Sequence, residues 1–483
     1  MKKILKNWLL PFLLTLLFVL GRVKCYGPMN DSVAAEDTES YYQTAAAFPS
    51  PDFFRQPRSA TIPLILKLTN PSLSHQLTLI SEPFFNSEPE LVIQPGTESW
   101  VKFQTILSIG CWVIFTLLLC GKLAHPLSKA VCALLIYGFA FVPQTADWDS
   151  VLLSESVSFS FFVLMNGFLI SILPFGRKRV SGKWAAVGSI LLLLSAACWI
   201  FTRDTNVYYV LCLAAVLLAA GTAGLIRRQK ENICPAVVSL LLIALSVFEQ
   251  QTFKNSERWV LPMANNLAAN VFPYPERTAF FQAHGMPVSD DLLKTSGSAE
   301  YNNIYQNQEF MAWLRKDGLK TYKAFLLDMP LWSVLQVYDN LDLFFKENTQ
   351  PFFYGKPDEK PLWAVKIGNL LHSISPSVIL MDLLLTLILL GAVCHGSGTS
   401  TNWLIFCALL LIGSGLMTAA ACLGEVRSIW RHVQCGVLPL RLLPWILIPL
   451  LLDLSLSRKE VPGSAAAGES RPRAEFEEKS PEK

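Results

Sequence analysis

Apolar runs of about 17–25 residues recur along this chain, and each is long enough to cross a hydrocarbon core of about 30 Å. In that solvent every backbone N–H and C=O must be paired inside its own segment, so each run has to be helical. The spacing predicts ten spans, at roughly 4–22, 101–120, 127–143, 151–173, 184–202, 206–226, 235–250, 376–394, 402–422 and 434–454. Composition agrees: 52% hydrophobic and 16% charged residues, with a mean hydropathy of +0.39, lie outside the range of soluble globular domains. A net charge of +3, dispersed over 483 residues, argues against a nucleic-acid partner. The expected fold class is an all-α polytopic membrane protein with about ten transmembrane helices and two loop subdomains outside the membrane.

Most of the 11 cysteines lie inside apolar runs and none forms a CxxC pair, so they read as small packing residues. The first run follows "MKKILKN" and has the charged and apolar regions of a signal peptide. Because "GRVKCYG" after it offers neither a small-x-small cleavage site nor a lipobox, it reads as an uncleaved anchor. If the spans alternate, the basic stretches "MKK", "GKLAHPLSK", "GRKRVSGK", "IRRQKEN" and "SRKE" all fall on one side. By the positive-inside rule that side is the cytoplasm, which predicts a multi-pass cell-membrane protein with both termini cytoplasmic. The expected organisation is a transmembrane core over 1–250 that includes a first outer loop at 23–100. An outer subdomain follows at 251–375, then C-terminal transmembrane helices at 376–455. Residues 456–483, low in hydrophobicity and mixed in charge, read as a disordered cytoplasmic tail.

The unusual polar residues gather on the predicted outer face. Asp37, Tyr41, Tyr42, Arg55 and Arg58 belong to the first outer loop, and "TADWDSVLLSES" (145–156) adds Asp147, Asp149 and Glu155. "FTRDTN" supplies Arg203, and "LGEVRSIWRH" supplies Arg427, Arg431 and His432. Each of these alone is an ordinary loop charge or interfacial anchor. Their coincidence on one face is the signal, because charge within a bilayer costs about 2.5–3.5 kcal/mol and is retained mainly for function. Carboxylates among cations at a membrane surface suit a phosphate-bearing lipid that reacts with an acceptor. A carboxylate can take the acceptor's proton, and arginine forks match the departing phosphate.

"DTESYYQTA" (37–45) resembles the Asp-x-x-x-Tyr-x-x-x-Ala signature that follows the first span of GT-C glycosyltransferases, among them protein O-mannosyltransferases and aminoarabinose transferases. "RQPRSATIPLILKL" is similar to the Arg/Pro-rich stretch that comes next in bacterial members, and "WDSVLLSESVSFSFFVL" to the start of their fourth span. The likeness covers residues 1–210 and weakens afterwards; order, spacing and sidedness carry it together. It implies a polyprenyl-phosphate sugar donor, transfer to an envelope acceptor (glycan, lipid or protein) outside the cytoplasm, and Asp37 as the catalytic carboxylate. Glu155 is expected as a second catalytic carboxylate beside Asp37, with Arg55, Arg58, Arg203, Arg427, Arg431 and His432 toward the donor phosphate and Tyr41, Tyr42, Asp147 and Asp149 lining the acceptor cavity. Many members carry Asp-Glu at the signature, whereas here the order is Glu36-Asp37, so Asp31 stays a rival for the base. Two other readings stay open: a polyisoprenoid-lipid transporter or flippase, for which Glu249 and Asp382 are the groups to watch, and a silent protein of the same fold. No cofactor is expected. His284, His372 and His432 are too scattered to define a metal site, and a divalent metal is left open.

Overall fold

The computed structural model describes residues 2–26, 29–80, 92–173, 182–226, 233–295, 302–352, 362–395 and 398–459. The basic connections at 174–181 and 227–232 and the tail from 460 onward lie outside the described residues. The chain is an all-α polytopic membrane protein. Among the described residues nine helices are long and apolar enough to cross a membrane, and a tenth crossing exists if one bent pair counts as a single span.

That bent pair is where the structure departs from the pattern of the sequence. The run at 127–143 becomes the helix Pro126–Phe141, followed across a 58° bend by Pro143–Ser150. Pro143 explains the break: it lacks an N–H and forces Val142 before it into extended backbone, at φ −70° and ψ 157°. The next helix then begins at Glu155, later than the hydropathy suggested. The intervening turn is occupied in pairing with the segment that follows the first helix. Val33 donates to the Ser150 carbonyl at 2.9 Å and accepts from the Leu152 N–H at 3.0 Å. This pairing brings residues 31–38 against the start of the helix Glu155–Ile172.

The helical body is packed around Trp100, Trp112, Phe115, Phe162, Trp199 and Tyr209, all buried. In contrast, the span Asn7–Cys25 is only 17% buried, and Leu9, Leu13 and Leu17 are exposed, as suits a helix facing acyl chains. The last helix, Gln434–Lys459, holds Pro439, Pro444 and Pro449, which neighbouring helices make tolerable in a membrane. At Gly436 a Cβ would stand 2.2 Å from Thr418 Oγ1, so the small residue lets this helix approach Gly398–Gly424.

The segment after the helix Ile233–Asn255 has a core of its own, drawn from Trp259, Met263, Phe281, Phe310, Trp313 and Phe325. Phe344 and Phe345 belong to another cluster, with Val433, Val437 and Leu440. The two ends of the helices differ. At one, Asp453 accepts the N–H groups of Ala124 and His125 at 2.7–3.0 Å, and the Lys122 ammonium donates to the carbonyls of Ser171 and Leu173. At the other, the segment after the first helix docks on the helix ends: Thr61 donates its N–H to the Phe201 carbonyl at 3.0 Å and its hydroxyl to the Cys198 carbonyl at 2.7 Å, beside the end of the helix Gly182–Ile200.

Candidate functional site: a carboxylate–guanidinium cluster at one end of the helices

Asp37 immediately precedes the helix Thr38–Ala46 but makes no side-chain cap to it. Thr38 does the anchoring instead: its hydroxyl accepts the Ala35 N–H and donates to the Leu152 carbonyl, each at 2.9 Å. The Asp37 carboxylate is therefore available for other partners. Its Oδ1 accepts from Arg58 Nη2 at 2.6 Å, and its Oδ2 accepts from Arg431 Nη2 at 2.8 Å. Arg58 is steadied from two sides. Its Nε donates to Ser40 Oγ at 2.5 Å, and its guanidinium lies 5.1 Å from the centre of the buried Tyr41 ring. Tyr41 in turn meets Trp100 edge-on.

Glu155 opens its helix, where the helix dipole favours a carboxylate. Its Oε1 accepts from Arg203 Nη2 at 2.6 Å and lies 4.0 Å from Arg431 Nε. Its Oε2 is buried with no hydrogen-bond partner among the described residues. Arg203 is fixed by Ser154 Oγ at 3.0 Å and by the His432 carbonyl at 3.2 Å. Arg431 sits on the short helix Ile429–His432, entered through Ser428 in left-handed backbone (φ 44°), a conformation uncommon for a residue with a side chain. The Glu425 carboxylate closes that turn by accepting the N–H groups of Val426 and Arg427 at 2.9 Å.

Three guanidiniums thus face two carboxylates. Burial pushes the Asp37 carboxyl upward, but Arg58 and Arg431 outweigh it and hold the group well below the usual carboxylate range. Burial, reinforced by Arg431 and Arg203, pushes His432 well below the usual imidazole range, so the ring adds no charge at neutral pH. Depth is graded: the side chains of Asp37 and Arg58 are 31% and 28% exposed, that of Arg431 11%, and that of Glu155 1%. The open end therefore holds Asp37 with Arg58, and the closed end holds Glu155.

The structure brings Asp37, Tyr41, Arg58, Glu155, Arg203, Arg431 and His432 together and leaves other expected residues apart. Arg55 pairs with Asp52 in solvent at 3.4 Å. Arg427 is exposed and gives its backbone to Glu425. Tyr42 turns away, stacking on His75 at 3.7 Å and donating to the Gly96 carbonyl. Asp149 is engaged by Arg22 and by Ser156 Oγ, and Asp147 is buried in the same short helix, Asp147–Ser150. Asp31 lies in a two-residue strand paired with Ile93.

Several participants were not anticipated. Ser40 and Ser154 orient the arginines, and Arg258 joins Asp204 and Glu249 through Nε at 2.8 Å and Nη2 at 2.5 Å. Ser59 Oγ also donates to Asp204 at 3.2 Å. This second knot ties the chain neighbours of Arg58 and Arg203 to Arg258, just after the helix Ile233–Asn255. Its trace in the sequence was the Arg-Asp pair inside the short turn "FTRDTN". Among the described residues no group of three or more His, Cys, Asp or Glu is arranged to hold a metal ion.

No protein-family model matches the chain, and no curated protein matches it. Among solved structures it is similar to the archaeal oligosaccharyltransferase AglB of Archaeoglobus fulgidus, solved with an inhibitory peptide and a dolichol-phosphate, at 15% identity and a TM-score of 0.40. The superposition covers 96% of this chain and 52% of that one, so the chain spans about half the length of the archaeal protein.

Proposed function

We propose that the protein is an integral membrane glycosyltransferase that moves a sugar from a polyprenyl-phosphate carrier to an envelope acceptor on the extracytoplasmic face. One observation carries the reading: Asp37 bridges Arg58 and Arg431 next to the Glu155–Arg203 pair, at the end of the helices where the first outer loop docks. The Lys/Arg asymmetry of the connections supports placing that end outside.

In this reaction Asp37 takes the proton of the acceptor hydroxyl or amine as the acceptor atom bonds to the sugar's anomeric carbon. The bond from that carbon to the phosphate oxygen breaks, and its electron pair leaves with the polyprenyl phosphate. Arg58 and Arg431 stabilise the charge that accumulates on the leaving phosphate, and Arg203 holds Glu155 at the closed end. A transport reading draws on Asp382, buried in the helix Ser377–Cys394 with neither carboxyl oxygen hydrogen-bonded among the described residues. Asp382 lies apart from the arginine cluster, which the transferase reading uses in full.

The test is sugar transfer from a polyprenyl-phosphate donor in membranes carrying each variant. Asp37→Asn should lower the rate by at least about 100-fold, within the range of general-base contributions, while expression and insertion stay intact. Asp31→Asn should retain most activity. Full activity in Asp37→Asn, or a loss confined to Asp31→Asn, would move the base elsewhere.

A further inference from the structure

We infer that Asp37 and the lipid phosphate compete for the same two guanidiniums, Arg58 and Arg431, so that donor binding and release of the base are one event. The inference rests on the transferase reading and adds an order of events to it. Both oxygens of Asp37 are committed, one to each arginine, at 2.6 and 2.8 Å. A carboxylate gripped in that way is a weak base, since the same two cations hold it well below the usual carboxylate range. To take a proton from an acceptor it has to lose them.

A phosphate is the group equipped to take them. It offers more acceptor oxygens than a carboxylate, and guanidinium forks match it. With Arg58 and Arg431 turned to phosphate, what remains around Asp37 is burial and the phosphate's own negative charge. Both raise a carboxyl's proton affinity. The base is thus weak until the donor is in place, which keeps the acceptor from being deprotonated with no sugar to receive it. The two arginines are suited to the exchange. Arg58 lies at the open end of the cluster, and Arg431 rides on a helix of one turn behind the left-handed Ser428.

A purely positioning role for Asp37 predicts that its loss weakens or spares phosphate binding. Competition predicts the opposite sign: the variant that loses transfer binds the lipid phosphate more tightly. The measurement is titration calorimetry of the full-length protein in phosphatidylcholine nanodiscs with geranylgeranyl phosphate, with geranylgeraniol and inorganic phosphate as separate arms. Asp37→Asn and Asp37→Ser should each bind geranylgeranyl phosphate about tenfold or more tighter than wild type, at the lower end of the coupling measured between close charge pairs at interfaces. Asp37→Glu, which keeps the competing charge, should stay near wild type. Glu39→Gln, which removes a charge two residues away that faces His75, should change affinity by less than about twofold.

Equal or weaker binding in both the Asn and Ser variants would overturn the exchange, as would equal tightening in Glu39→Gln. Tightening seen with inorganic phosphate alone would overturn the lipid as competitor. Arg58→Ala and Arg431→Ala separate this inference from the reading beneath it. If both leave geranylgeranyl phosphate binding unchanged, the phosphate site itself is wrong. If both weaken it while the Asp37 variants do not tighten it, only the exchange fails.

Discussion

Two ion clusters meet at the start of one helix, and neighbouring residues serve them. Glu155 faces Arg203 and Arg431, while Ser156 donates to Asp149, the partner of Arg22. The Arg22–Asp149 cluster is dry, with side chains 0% and 5% exposed, and one cation matches one anion. Arg22 also donates to the Ala140 carbonyl at 2.7 Å, and Gln104 donates to the backbone of Asp149 and Val151. Every link there joins a helix to a helix or to the turn between helices. The Asp37 cluster is built otherwise: it has a surplus of cations, opens partly to solvent, and draws Arg58 and Arg431 from segments without a long helix of their own. Similar chemistry at adjacent places thus does two jobs. A matched, closed pair holds the helices, and on the proposed function the unmatched, open one is left with charge for a ligand.

The difference should appear first in stability. Breaking a buried pair by removing one partner strands the other charge, at a cost of about 3–5 kcal/mol. Arg22→Ala and Asp149→Ala should therefore lose about that much in denaturant unfolding, whereas Asp37→Asn should stay within about 1 kcal/mol of wild type, as partly exposed pairs do. Equal losses at the two sites would erase the distinction. A smaller effect is expected at Ser428, whose left-handed backbone carries the Arg431 turn. Glycine adopts that conformation without strain, so Ser428→Gly should be neutral or stabilising by up to about 1 kcal/mol, while Ser428→Val should cost about 1–2 kcal/mol. Thermal unfolding of the two variants reads this directly, and an identical response would mean that the turn stores no strain.

How much of this could be read without coordinates depends on the range of the interaction. Spans follow from run length alone, because the bilayer fixes the length a helix needs. That Asp37, Arg58, Glu155, Arg203 and Arg431 share one end of the helices was legible through alternation. Their pairing was not, since Arg431 and Asp37 are 394 residues apart in the chain. Arg22 ends the first apolar run, and nothing in its sequence neighbourhood points to Asp149. Tyr41 and Tyr42 were read together, yet adjacent residues on a helix project about 100° apart, so only one of them turns to Arg58. The break at Val142–Pro143 was hidden by hydropathy, which does not register a bend.

The most direct test of the account is a cryo-electron-microscopy structure of the protein in nanodiscs with a polyprenyl phosphate. It should show phosphate density within hydrogen-bonding distance of both Arg58 and Arg431, with the Asp37 carboxylate turned off at least one of them. Phosphate density at another place, with Asp37 still bridging Arg58 and Arg431, would contradict it.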